Sequence, residues 1–169
     1  ARTEGGHALI GGQPGPGMPL LVAEGYATGA TLHEATGLPV AVAFNAGNLV
    51  AVAKAYRVAD PTRPIIIAGD NDHHLPRRAV PLPNVGKEKA EAAAAAVGGI
   101  AAVPSFPAGD RGSDWNDSMR RNGPEHVSHA MQAALKALIA SQTREAKVHR
   151  RDKLVQDATQ NRGVAPRAR

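Results

Sequence analysis

The chain has 169 residues, of which 43% are hydrophobic, 21% charged and 3% aromatic, with a net charge of +5 and no cysteine. That balance suits one globular domain, with or without an appendage. It excludes disulfides, thiolate metal sites and cysteine nucleophiles, and the scarcity of aromatics excludes a wall of stacking platforms for single-stranded nucleic acid. No apolar run is long enough to cross a membrane, and the start ARTEGGHALIGG lacks the apolar segment of a signal peptide. Cytoplasm is therefore the expected location, and without an initiator Met the sequence reads as a domain cut from a longer protein.

Residues 1–17 are rich in Gly and Pro and predict a linker or irregular lead-in. A regular alternation follows. LLVAEG (20–25) is an apolar strand ending at a carboxylate and a glycine, and ATGATLHEATG (27–37) reads as a helix stopped by Gly37. PVAVAF (39–44) is a second strand; NLVAVAKAYRV (48–58) is a helix with Asn48 as its expected N-cap. PIIIAGD (64–70) is a third strand, apolar enough to be buried on both faces. KEKAEAAAAAVGG (87–99) is an alanine helix closed by glycines, and GIAAVPSF (99–106) is a fourth, weaker strand. Strands alternating with helices of this length predict an α/β fold, a four-stranded parallel sheet flanked by helices. After Gly123-Pro124 a last helix presents Val127, Met131, Leu135 and Leu138 on one face; beyond residue 143 the stripe thins, and VAPRAR (164–169) reads as disordered. The expected division is a lead-in (1–17), a sheet domain (18–125), and a C-terminal helix with a basic tail (126–169). Residues 141–169 hold eight basic side chains against three acidic, so the whole +5 excess lies there and residues 1–140 are neutral overall. A basic tail suits a nucleic-acid contact, with Arg150 and Arg151 as candidates; its plain alternative is a solvated helix face.

In an open parallel sheet, ligands sit beyond the carboxyl ends of the strands. Glu24 ends the first strand, Asp70 and Asp72 follow the third, and Asp114 and Asp117 follow the fourth in SDWND. Any one of these acids is ordinary as a cap or solvated loop residue. Several of them at one sheet edge, without cysteine or a His pair, form an oxygen donor set for a hard cation such as Mg2+ or Mn2+.

These residues carry a resemblance. Glu24-Gly25-Tyr26 after a first strand and Asp70-Asn71-Asp72 after a third resemble the Toprim domain of DnaG-type primases, topoisomerases, and some nucleases and recombination proteins. EGYATGATLHEATGLPVAVAFNAGNLVAVAKA, IIIAGDNDHH, NVGKEKAEAAAAAVGG and SDWND, in that order, resemble the Toprim region of primases from conjugative plasmids and related mobile elements. The resemblance covers about residues 18–125. It implies a Rossmann-like Toprim fold, Glu24 as acid/base or metal ligand, Asp70 and Asp72 as the metal-binding pair, and Asp114 and Asp117 as further metal ligands. One departure is Thr28, which stands where DnaG-type primases carry Asp and so removes one candidate ligand.

The function that the resemblance implies is primer synthesis on single-stranded DNA from nucleoside triphosphates, in plasmid replication or conjugation, alongside other domains of a larger protein. Glu24, Asp70 and Asp72 are then the catalytic candidates. Gly25, before a helix N-terminus, and Lys87, at another helix start, are phosphate candidates. Arg77 and Arg78 could face a template backbone. His73 and His74 could touch phosphate or metal, or be simple loop residues; Asn45 and Asn48 could line the site; Trp115 is expected to pack the SDWND turn. The alternatives are a Toprim nuclease, a topoisomerase fragment, or a non-catalytic DNA- or protein-binding module. No Walker motif accompanies the nuclease reading, and neither Tyr26 nor Tyr56 suits a strand-cleaving tyrosine.

Overall fold

The structure, a computed structural model, describes residues 4–77 and 79–162, with side chains up to Gln156. Arg78 and the VAPRAR segment lie outside the described residues.

The chain runs β1 (Ala8–Ile10), β2 (Leu20–Ala23), α1 (Tyr26–Thr36), β3 (Val40–Val42), α2 (Leu49–Ala59), β4 (Ile65–Ala68), α3 (Val85–Val97), β5 (Ile100–Ala102), α4 (Trp115–Asn122) and α5 (Pro124–Arg162). Single 3-10 turns at Ala46–Asn48 and Leu75–Arg77 punctuate the loops. The sheet order is β1-β3-β2-β4-β5. β3, β2, β4 and β5 are parallel, with Leu21 opposite Val40 and Ile66, and Ile67 opposite Ala101.

The alternation of side chains along each strand separates two cores. Leu20, Val22, Ala41, Ile65 and Ile67 face α2 and α3 through Leu49, Val52, Ala53, Ala90 and Ala93. Leu21, Ala23, Val40, Ile66 and Ala68 face the other way, against Leu32 of α1, Trp115 of α4, and Val127 and Met131 of α5. Every residue of β2 and β4 is buried, as expected of strands covered on both faces. The small residues of α3 let it pack closely on the sheet, and Gly37 and Gly98 end α1 and α3 in the left-handed conformation.

Two expectations change. The sheet has five strands rather than four, and the extra strand lies in the lead-in read as irregular. β1 pairs antiparallel with β3, Ala8 opposite Val42 and Ile10 opposite Val40. Three residues are too few to show a period, and the strand is held by distant partners. Gly5 N–H donates to Asn48 Oδ1 at 2.9 Å, while Asn48 Nδ2 donates to the Gly6 carbonyl at 2.8 Å and to the Ala43 carbonyl at 3.0 Å. Asn48 therefore ties the lead-in to the sheet instead of capping α2 with its side chain. Further along, Arg63 Nη1 donates to the Gly15 and Met18 carbonyls, and Gly17 N–H donates to Asp60. The second change is α4, where SDWND was expected to form a turn; it is a short polar helix whose start is SDWND itself.

α5 packs its first half on α1, α4 and the sheet through Val127, Met131 and Leu138. From Thr143 to Gln156 every side chain is exposed. No helix among the described residues is long and apolar enough to cross a membrane.

Candidate functional site

The connections of the sheet reverse between β2 and β4. The chain leaves β2 through α1 on one face to reach β3, then returns through α2 on the other face to reach β4. A cleft beyond the carboxyl ends of the strands opens at such a point, because the neighbouring loops turn away from each other. Glu24 follows β2 and Asp70 follows β4, so the topology sets them side by side.

Asp70 is the centre of the arrangement. Its Oδ1 is buried without a hydrogen-bond partner among the described residues. Its carboxyl is pushed up from 3.8 to about 7, first by burial and then by the negative charges of Glu24, Asp114, Asp72 and Asp117. The other four acids expected at the site thus all act on Asp70. Glu24 is raised as well, chiefly by burial and further by Asp72, while the backbone N–H of Ala46 hydrogen-bonds it and pulls it back. Among the described residues, none of the five forms an ion pair.

Backbone contacts hold this edge in place. Asn71 N–H donates to the Ser113 carbonyl at 2.6 Å, joining the loop after β4 to the loop after β5. Asn71 Nδ2 donates to the Pro104 carbonyl at 2.7 Å. Asn84 is the hub: its Oδ1 accepts the Asp72 N–H at 2.9 Å and, more weakly, the Lys87 N–H at 3.4 Å, while its Nδ2 donates to Asn71 Oδ1 at 2.7 Å. One amide thus caps α3 and orients the loop carrying Asp72. Gly86 sits against that loop; a Cβ there would stand 2.8 Å from the Asp70 carbonyl oxygen. An Asn three residues before Lys87 at a helix start is an N-cap signal, and Asn84 fills that role while also holding Asp72, a link that no sequence spacing displays.

Asp114 and Asp117 have a second task. Asp114 Oδ1 accepts the Asp117 N–H at 2.7 Å, and Asp117 Oδ2 accepts the Ser113 N–H at 3.0 Å, a reciprocal cap on α4. Each carboxylate thus spends one oxygen on the cap. Trp115 is buried beneath this cap, as expected, in the core between α1 and α5. Thr28 is buried in the first turn of α1.

The other candidates are scattered. Gly25 caps α1, and nothing packs within 4 Å of where its Cβ would stand, so space does not demand glycine there. Lys87 is exposed at the start of α3 with its Nζ 3.8 Å from Glu91. Beside it a cleft of about 710 Å³ is lined by His73, Leu82, Asn84, Lys87 and Glu91. The His73 ring stacks on Phe106 and bonds the Gly112 carbonyl, so it braces the loop. Arg77 is exposed at the end of its 3-10 turn, and Arg150 and Arg151 are exposed on the projecting half of α5. Arg78 is outside the described residues.

A divalent cation fits the acidic edge. The candidate donors are all carboxylate oxygens, suited to a hard ion, and the repulsion that four other acids exert on the buried Asp70 carboxyl is the feature that such a charge would relieve. No three of the acidic or histidine side chains among the described residues stand together as a ready ligand shell.

The family model for the Toprim domain matches residues 19–125. Two curated DNA primases named TraC, both from Escherichia coli, are similar to the chain. One is 53% identical over 87 residues, covering 52% of this chain and 6% of the relative; the other is 41% identical over 112 residues, covering 65% and 10%. The chain thus spans about a tenth or less of the length of these relatives. No solved structure matches it significantly. Toprim domains in general depend on divalent metal ions.

Proposed function

Since the chain belongs to the Toprim family, we propose that it is the metal-dependent catalytic domain of a primase that synthesises primers on single-stranded DNA. It serves plasmid replication or conjugation as part of a larger protein. The observation that carries this reading is Asp70 at the switch point of the sheet, whose buried oxygen has no partner among the described residues and whose carboxyl feels the charge of four other carboxylates. The names of the similar proteins agree with it.

Asp70 and Asp72 hold the principal ion, Mg2+ or Mn2+, with Glu24, Asp114 and Asp117 completing or extending the donor set. When bound, the ion neutralises charge on the nucleotide phosphates and makes a 3′-hydroxyl easier to deprotonate. Glu24, held by the Ala46 N–H, is placed to take the proton of that hydroxyl or to join the donors. Asn84 and Asn71 keep Asp72 in place during the reaction. Gly25 leaves the start of α1 open to phosphate, and Lys87 contacts phosphate at the start of α3. Arg77, Arg78, Arg150 and Arg151 contact the DNA backbone.

The test is a gel. The chain is incubated with unlabelled single-stranded DNA, labelled nucleotides and Mn2+, beside an Asp70→Asn/Asp72→Asn control. Labelled oligomers that vanish in the control support the proposal. Absence of oligomers with cleavage of the DNA would point to a nuclease, and absence of both would leave the chain a binding module.

A further inference from the structure

Next to the acidic edge lies a second cleft that no part of the site above uses. It measures about 730 Å³ and is lined by Phe44, Asn45 and Asn48 on one side and by Glu4, Gly6 and His7 on the other. Its second wall exists because β1 is antiparallel. The residues preceding Ala8 are delivered to the same sheet edge as those following Val42. The wall is fixed. The His7 ring bonds the Tyr56 hydroxyl at 2.9 Å and meets the Tyr56 ring edge-on, and Asn48 clamps Gly5 and Gly6.

Phe44 is the unusual residue of this cleft. It follows the buried end of β3, yet its side chain is 57% exposed. It also holds φ at +64°, the single positive φ of a residue other than glycine among the described residues. A bulky residue rarely adopts that conformation, and where one does the position is often functional. The backbone twist turns an aromatic ring out of the core at the mouth of the cleft. Beside it, the Asn45 side chain has no hydrogen-bond partner among the described residues, so its amide NH2 and its carbonyl oxygen are both open to a ligand. Two residues beyond Phe44, Ala46 donates its N–H to Glu24, so the cleft and the acidic edge share the segment 44–48.

A flat ring with a free amide at its side matches a nucleobase, which offers a π-face for stacking and a polar edge for hydrogen bonds. We propose that Phe44 and Asn45 form a nucleobase subsite, Phe44 stacking the base and Asn45 reading its edge. A single ring serves one base and not a strand-long platform. The inference deepens the proposed function and rests on it for the supply of nucleotides. The base belongs either to a free nucleoside triphosphate or to a DNA strand.

Binding to the whole chain with Mn2+ tests it, using two matched pairs of probes: ATP against inorganic tripolyphosphate, and oligo-dT against an abasic oligomer of equal length. The variants are Phe44→Gly, which suits the positive φ and keeps the fold, and Phe44→Trp, which keeps a ring. The wild type is expected to prefer the base-bearing member of one pair by about tenfold. Phe44→Gly should bring that ratio near one without weakening the base-free probe, and Phe44→Trp should retain it. The pair affected names the source of the base. No preference in either pair, or a preference that Phe44→Gly leaves intact, overturns the subsite. Because the readout is binding, it is separate from the primer gel: a Phe44-dependent base preference without primers would sink the primase reading alone, and primers without a Phe44 effect would sink the subsite alone.

Discussion

Replacing Asp70 by Asn removes one negative charge from a crowded acidic edge at almost constant shape. In the folded chain the Asp70 carboxyl titrates near 7, against 3.8 when unperturbed. The folded state therefore binds a proton that the unfolded state has released, and stability falls as pH rises from about 4 to 7, then levels off. The full rise corresponds to at most ~4 kcal/mol. Since Asp70 keeps a solvent-facing side, screening reduces this to about 2 kcal/mol. Without metal at pH 8, Asp70→Asn should thus be the more stable protein by about 2 kcal/mol, or roughly 6 °C in melting temperature for a chain of this size. At pH 4 the difference should vanish. Saturating Mn2+ should reverse the order, because an ion that binds only the folded wild type at a hundredfold excess over its dissociation constant adds about 2.7 kcal/mol. Melting curves in chelator and in Mn2+, at pH 4, 6 and 8, provide the assay. An Asp70→Asn protein that is less stable at every pH, or that gains from Mn2+ as much as the wild type, would refute the reasoning.

Three more outcomes are expected. Asn84→Ala removes the cap of α3 and the acceptor of the Asp72 N–H; it should cost about 2 kcal/mol in urea unfolding and lower metal affinity, since Asp72 loses its hold. Gly86→Ala drives a Cβ against the Asp70 backbone and should destabilise by about 1–3 kcal/mol in the same assay. Deleting residues 143–169 leaves the packed half of α5 intact and removes eight basic side chains; single-stranded DNA binding should weaken and its logarithmic salt slope flatten by about 0.7 for each phosphate that the tail had neutralised. An unchanged slope would show the tail to be passive.

What was legible in the sequence was whatever repeats locally. The apolar runs of β2 and β4 and the alanine face of α3 announce themselves over four or more residues, because burial on both sides leaves no room for polar ones. Glu24, Asp70 and Asp72 were legible as residues of one sheet edge because they follow the runs of β2 and β4, and an α/β sheet has one edge where such residues meet. β1 was not legible: three residues carry no period, and their pairing depends on an asparagine some forty positions away. α4 was hidden for the opposite reason. Its first turn is made of the same aspartates that read as ligands, and a carboxylate at a helix start is satisfied by backbone amides whether or not it also faces a cleft.

That double duty explains how the edge survives its own charge. Five carboxylates without a cation among the described residues would drive the loops apart if each were held only by its neighbours. Instead Asp114 and Asp117 each commit one oxygen to the start of α4, Glu24 leans on the Ala46 amide, and Asp72 is fixed through its own N–H by Asn84. The repulsion is thereby concentrated on Asp70, which among the described residues is the one member with a buried oxygen that has no partner. A neutral protein partner at that oxygen would make the edge more stable and a poorer seat for a cation. Burying it unpaired costs the fold about 1–3 kcal/mol and leaves a charge that a divalent ion would relieve.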